Sequence, residues 1–362
     1  MLHAVIMAGG SGTRFWPASR ADRPKQVLAV AGRDPLVKAT VDRLEGLVPA
    51  DRTLVLTNRR QAPLLREILA PLPPEQVVAE PTPRDTAPCI ALAALLVRRR
   101  DPEGVMAVLP ADQVIGPRER FQAALEAAAG VAAREDALIT FGIEPTFPAT
   151  GYGYIRYGKK HSEAGGISFH RVEAFTEKPD RERARQWFDQ GGYHWNSGIF
   201  LWRAETILAE IERHAPGLGE VVAQLEAALG TDRWEEALAE HFPRCPRNSI
   251  DREIMEKSTL ALIAPAPFRW DDLGSWQALP AHHQADEGGN VAITPGGGSH
   301  LDLDSRDLVV YAEGKHLVAT IGLAGLTIVQ TGEATLVCPT ERAQEVKEMV
   351  ELLRRRGRED LL

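Results

Sequence analysis

The chain is poor in cysteine. Its three thiols, Cys89, Cys245 and Cys338, sit far apart with no C-x-x-C pair among them. That spacing excludes a zinc site and a disulfide framework and leaves isolated reduced thiols. Basic surplus is lacking too: the formal net charge is -8, so no basic stripe can offset a nucleic-acid backbone, and no nucleic acid is expected as a partner. No apolar run is long enough to span a bilayer, so no membrane is expected either. A strand pattern begins almost at Met1, which leaves no room for the charged and apolar regions of a secretory leader. On these absences a soluble, cytoplasmic protein is expected. Two familiar phosphate loops are also missing. A G-x-G-x-x-G read from Gly10 would need glycine where Phe15 stands, and a Walker A loop would need lysine after Gly12, where Thr13 stands.

What is present begins with Ala4-Val5-Ile6-Met7-Ala8, an apolar run without helical period that reads as a buried parallel strand. It stops at Gly9-Gly10-Ser11-Gly12-Thr13-Arg14. Glycines let such a loop turn its N–H groups toward an anion, and Arg14 and Lys25 add positive charge. Strand-like and helix-like patterns then alternate: strands at 52–57, 76–80 and 105–109, helices at 35–47, 61–69 and 90–100. That alternation predicts a parallel sheet wrapped by helices, with ligands beyond the carboxyl ends of its strands. The Gly9 loop, Glu80 and Asp112 all fall at such ends and are expected to converge. After residue 280 the texture changes to short β-like runs between Gly-rich turns, closing with a charged helix at 341–356. A boundary near 285 is expected, giving a domain at 1–285 and a smaller β-rich one at 286–362.

Two chemical assignments follow from residue type. Mg²⁺ is characteristically held by one or two carboxylates together with substrate phosphate oxygens, which suits Asp112 beside a phosphate cradle. Guanine offers two adjacent donors on its Watson-Crick edge, and an ionised glutamate accepts two parallel hydrogen bonds, which suits Glu80 as a reader of guanine over adenine.

The glycine loop together with Phe15-Trp16-Pro17 and Pro24-Lys25-Gln26 resembles the N-terminal signature of the sugar-nucleotide pyrophosphorylases, most closely the branch that joins mannose 1-phosphate to GTP. The resemblance continues through Leu109-Pro110-Ala111-Asp112, Glu80-Pro81 with Arg84-Asp85-Thr86-Ala87-Pro88, Thr150-Gly151-Tyr152-Gly153, Glu177-Lys178-Pro179, Trp195-Asn196-Ser197-Gly198-Ile199-Phe200 and Trp270-Asp271-Asp272-Leu273-Gly274-Ser275-Trp276. It implies a Rossmann-like nucleotidyltransferase domain with a GT-A-like mixed, mostly parallel sheet, and a small left-handed β-helix-like C-terminal domain used in homodimer contact. It implies catalysis by Arg14 and Lys25. Nucleotide would be bound by Ala8, Gly9, Gly10, Gly12, Thr13, Gln26, Glu80, Arg84, Asp85 and Thr86. Sugar would be bound by Gly151, Tyr152, Glu177, Lys178 and Asn196, with Mg²⁺ on Asp112 and Asp272. Asp271, next to Asp272, leaves open which acid holds the metal. Ser249 to Lys257 also matches the family, with no chemistry that its residues suggest. The expected substrates are GTP and a hexose 1-phosphate, mannose 1-phosphate favoured. The same chemistry on glucose 1-phosphate with a uridylyl or thymidylyl group stays open, as does a non-catalytic sugar-nucleotide sensor, which would lack the loop cations or a metal carboxylate.

Overall fold

The computed structural model describes residues 1–10 and 12–362; Ser11, inside the glycine loop, lies outside the described residues. By contacts the chain divides into two compact units. One comprises Met1–Gly9, Arg43–Pro110 and Ile115–Trp270, the other Gly10–Asp42, Ala111–Val114 and Asp271–Leu362. This differs from a single cut near residue 285. The reason is the second unit's apolar core, in which Phe15, Trp16 and Leu28 from the N-terminal segment are buried with Trp276, Val309, Tyr311 and Val346.

The first unit is built on a nine-stranded mixed sheet. Its strands are β1 (Leu2–Met7), β2 (Thr53–Asn58), β3 (Val77–Glu80), β4 (Val105–Pro110), β5 (Leu138–Ile143), β6 (Tyr154–Ala164), β7 (Ile167–Thr176), β8 (Tyr193–Arg203) and β9 (Ala261–Pro265). The order across the sheet is β3-β2-β1-β4-β8-β5-β9-β7-β6. The first four strands are mutually parallel, with Met7 opposite both Leu56 and Pro110 and Asn58 opposite Glu80. Their carboxyl ends therefore share one edge. Being covered on both faces, these strands read as unbroken aliphatic runs, and the alternation of strand and helix is legible in the sequence for that reason.

Two departures have local causes. The Ala/Leu-rich helix spans Thr86–Arg100 and starts earlier than its apolar period suggests, because the Asp85 carboxylate caps it by accepting from Thr86 N. Pro88 lies in the first turn, where a missing N–H costs no helical bond. The long β6–β7 hairpin has no signal beyond its two ends. Residues such as Lys159, Lys160, Glu163 and Glu173 stand exposed along it and its register shifts, so its hydrophobic alternation is weak.

In the second unit, Val291–Ile293, Val309–Ala312 and Leu326–Gln330 pair in parallel, as do Ser299–Leu303 and Leu317–Ile321. The equal offsets from strand to strand are those of a β-helix-like coil. Thr335–Pro339 closes the larger sheet antiparallel. The expected closing helix is a short 3-10 turn, Thr340–Glu345, running into the α-helix Val346–Arg355, whose Val346 and Val350 are buried in the core. Among the described residues no helix is long and apolar enough to cross a membrane.

Candidate active site

In the second unit the glycine loop and Lys25 fit together by backbone geometry. Gly12 has φ +58, and a Cβ there would collide with Lys25 Cβ and stand 2.9 Å from Lys25 N. Only glycine meets both conditions at low cost. The loop turns through Thr13–Phe15, where Phe15 is buried against Trp276, ring centroids 5.0 Å apart, and Arg14 stays exposed. Ser19 Oγ donates to Gly12 O at 2.7 Å and Gln26 Nε2 to Gly10 O at 3.2 Å.

Lys25 is 6% exposed. Its Nζ lies 3.0 Å from Asp112 Oδ2 and donates to Asp272 O at 2.5 Å. Arg14 Nη1 donates to Gly274 O at 3.0 Å. A Cβ on Gly274 would stand 3.5 Å from both Asp272 carboxylate oxygens and 3.6 Å from Arg14 Nη1, so guanidinium and carboxylate flank the same glycine. These groups line a hollow of about 340 Å³ that includes Gly12, Thr13, Arg14, Lys25, Asp112 and Asp272.

The structure separates the two neighbouring acids. Asp271 Oδ1 accepts from Leu273 N at 2.8 Å, and its Oδ2 lies 2.8 Å from His282 Nε2, so this carboxylate is engaged locally. Asp272 is the one that lines the hollow. Among the described residues no group of three or more acidic, histidine or cysteine side chains forms a cage for a metal ion. Two carboxylates beside two cations fit instead a hard divalent ion that takes its remaining ligands from phosphate and water.

In the first unit, Ala8 N donates to Leu56 O and Ala8 O accepts from Thr57 Oγ1, so its backbone is engaged in the sheet. Gly9, and Gly10 in the second unit, are exposed, with nothing near where a Cβ would be. Glu80, at the end of β3, is 5% exposed, and its Oε1 has no hydrogen-bond partner. Burial pushes its carboxyl up to about 7, with the Cys89 thiol acting against the shift. Arg84 Nε is likewise buried and unpartnered. The buried Cys245 thiol, pushed up to about 11 by burial, feels the charges of both Arg84 and Glu80. An acceptor and a donor left unsatisfied in one neighbourhood are costly unless a polar ligand pairs them. Asp85 has φ +71 and serves as the helix cap, while Thr86 Oγ1 accepts from Ile250 N at 2.9 Å.

The sugar candidates all lie in the first unit, where Gly151 is exposed, Tyr152 joins an aromatic group, and Glu177, Lys178 and Asn196 gather beside Gly153. Tyr152 packs edge-on against Trp195 and Trp270, with centroids 4.9 and 5.4 Å away. Strand alternation ends at Thr176. Lys178 has φ +48, and its Nζ turns back to donate to Glu177 Oε1 at 2.5 Å. A Cβ on Gly153 would stand 2.8 Å from Glu177 Oε2 and 3.3 Å from Asn196 Cβ, so Glu177 and Asn196 flank that glycine. Asn196 Oδ1 accepts from Thr140 Oγ1 at 2.9 Å and from Gly198 N at 3.2 Å, while Nδ2 donates to Asp251 Oδ1 at 2.8 Å. Sequence reasoning passed over Asp251 and Thr140. The Ser249–Lys257 match was the available signal for Asp251, but its partner is 55 residues away in the chain.

This architecture has counterparts in known proteins. Residues 3–288 match the nucleotidyl transferase family, and the chain belongs to that family. Residues 298–353 match the mannose-phosphate isomerase/GMP-like β-helix domain. The chain is 37% identical over 366 residues to the mannose-1-phosphate guanylyltransferase of Escherichia coli K12, covering 99% of this chain and 75% of that one. It is 38% identical to the alginate biosynthesis protein AlgA of Pseudomonas putida, covering 99% and 73%. A solved structure from Thermus thermophilus, described as mannose-1-phosphate geranyltransferase, superposes with a TM-score of 0.84 at 35% identity, covering 98% of this chain and 99% of that one. Enzymes of this family generally use a divalent metal.

Gly12→Ala tests the coupling between loop and lysine. A Cβ there must displace Lys25, so nucleotidyl transfer should fall at least tenfold while far-UV circular dichroism stays that of the wild type. Undiminished turnover would uncouple the two.

Proposed function

We propose that the chain joins GTP to mannose 1-phosphate, forming GDP-mannose and pyrophosphate with Mg²⁺ as the divalent ion. The observation that carries this reading is the hollow in which Lys25 and Arg14 meet Asp112 and Asp272. Cations alone would suit any anion. Adding two carboxylates suits a polyphosphate that arrives with a divalent ion. The names of the Thermus and Escherichia coli relatives specify different groups, geranyl and guanylyl, and a charged lining favours the nucleotidyl group over an apolar chain.

A sugar 1-phosphate is ionised at neutral pH, so neither a histidine base nor a catalytic triad is needed. One of its oxygens forms a bond to the α-phosphorus of GTP as the bond to the departing pyrophosphate breaks, and the electron pair leaves with pyrophosphate. Arg14 and the N–H groups of Gly9, Gly10, Gly12 and Thr13 hold the triphosphate, with Gln26 steadying the loop. Lys25 neutralises the oxygens at the reacting phosphorus. Asp112 and Asp272 would hold the metal, which when bound would add to the neutralisation of phosphate charge. The protein's part is positioning and preorganised electrostatics.

Ionised Glu80 accepts from guanine N1–H and the N2 amine, with Arg84, Asp85 and Thr86 completing the base pocket. Glu177, Asn196, Tyr152 and Gly151 take the hexose, and Lys178 its phosphate. Three free thiols fit a reducing, cytoplasmic location. A homodimer through the C-terminal unit is supported by the parallel strands Ser299–Leu303 and Leu317–Ile321. Leu301, Leu303, Leu317 and Ile321 all stand exposed there, Ile321 at 72%. A row of exposed aliphatic side chains on one sheet face suits burial against a second copy.

Pyrophosphate release across four nucleoside triphosphates and several hexose 1-phosphates, with and without Mg²⁺, should be greatest for GTP with mannose 1-phosphate and should need the metal. Equal or better turnover with UTP or dTTP and glucose 1-phosphate would reject the reading. Because Glu80 must be ionised to accept from guanine, GTP preference should weaken as pH falls from about 8 to about 6, through its carboxyl value of about 7. Glu80→Gln should lose both the preference and this pH dependence; unchanged discrimination would remove Glu80 from the role. Sedimentation should give a dimer that Ile321→Glu converts to monomer, and a monomeric wild type would reject the contact.

A further inference from the structure

The hydrogen bond between Asn196 and Asp251 gives the hexose reading a residue it did not contain. Asn196 has its amide orientation set by Gly198 N, which can only donate and does so to Oδ1, leaving Nδ2 to face Asp251; the single Thr140 hydroxyl hydrogen lies between Asn196 Oδ1 and Ile199 O. Of the two Nδ2 hydrogens, one is given to Asp251 and the other is available. A carboxylate acceptor beside an amide donor matches a hydroxyl group, which donates one hydrogen bond and accepts others.

Asp251 belongs to the short π-helical turn Asp251–Met255, a geometry often found at functional positions. The turn is fastened to the sugar candidates at both ends, since Glu256, which follows it, accepts from Glu177 N at 2.7 Å. Burial, with the Glu177 charge next, pushes the Asp251 carboxyl up to about 7. The Lys178 charge acts in the opposite direction, but the Lys178 ammonium sits on Glu177, not on Asp251. Like charges held near one another are a cost to the fold, which an amide in place of one of them would relieve.

The sign of the charge narrows what can sit there. The Lys178 ammonium sits on Glu177 and not on Asp251, so Asp251 disfavours phosphate and suits the neutral, hydroxyl-bearing ring. A second metal ion would have to compete with the Lys178 ammonium already seated on Glu177.

We propose that Asp251 is a specificity-determining residue that accepts a hydrogen bond from one ring hydroxyl of the hexose, with Asn196 Nδ2 donating to the same oxygen. This rests on the hexose 1-phosphate reading above and adds to it a residue and the kind of group it recognises. Sites built around a hydroxyl discriminate strongly against ligands that lack it, because the buried partners are then left unpaired.

The test compares wild type with Asp251→Asn, and with Asp251→Ser in case the first variant unfolds. The substrates are mannose 1-phosphate and its 2-, 3-, 4- and 6-deoxy forms at saturating GTP. In the wild type one deoxy substrate should lose at least about tenfold in kcat/KM, and in the variants that same deoxygenation should cost less than about twofold. The variants should also raise KM for mannose 1-phosphate at least about tenfold and leave KM for GTP within about twofold, a split that a merely structural role would not produce. Deoxygenation penalties that are the same in wild type and variants at every position would overturn the assignment. Failure of the wild type to release pyrophosphate with any hexose 1-phosphate would instead sink the proposed reaction. Calorimetric titration of mannose 1-phosphate into wild type and variants then still decides the role of Asp251: weaker binding in the variants supports it, and equal binding rejects it.

Discussion

The second unit is organised around a buried ammonium. Lys25 is almost wholly out of water, and its charge is met by the Asp112 carboxylate and the Asp272 carbonyl. Removing a lysine head from water is expensive, and a buried pair seldom repays that in stability. Its value lies elsewhere. A cation already desolvated and aligned needs no reorganisation when negative charge develops beside it. Gly12 makes this placement possible, because a side chain there would occupy the space of Lys25 itself. The acids at 112 and 272 come from distant parts of the chain, so the hollow exists only once the whole unit is assembled.

That assembly explains why the compact units ignore chain order. The residues directly following β1 and β4 pack with residues after 270, not with the sheet they leave. Phe15 and Trp16 supply the reason: two large aromatic groups next to the loop are buried with Trp276 and Tyr311. Burying such rings contributes far more than local turn preferences, and their position fixes where Arg14 and Lys25 stand. The β-helix-like strands thereby become part of the unit that carries Arg14 and Lys25.

The parallel half of the sheet was legible because its strands are buried on both faces and appear as plain aliphatic runs. Arg14, Lys25, Asp112 and Asp272 were legible from motif and chemistry, and the structure brings these four into one hollow. The local engagement of Asp271 with Leu273 N and His282 was not legible. Nor was the part played by Asp251, whose partner Asn196 belongs to another element and whose own stretch has no periodic signal. The β6–β7 hairpin escaped for a different reason: exposed charged residues along it mask the alternation that marks a strand. Local pattern reports burial well, whereas side-chain pairing across distant segments is decided by the fold.

The most direct test of the central claim is to measure turnover and thermal unfolding of Lys25→Ala together. Asp112 is more than a third exposed and can be solvated once its partner is gone, so the fold should hold, with a midpoint within a few degrees of the wild type. Turnover should fall on the order of a hundred- to a thousand-fold, the usual cost of losing one preorganised charged contact. Near-normal turnover in a folded variant would contradict the account.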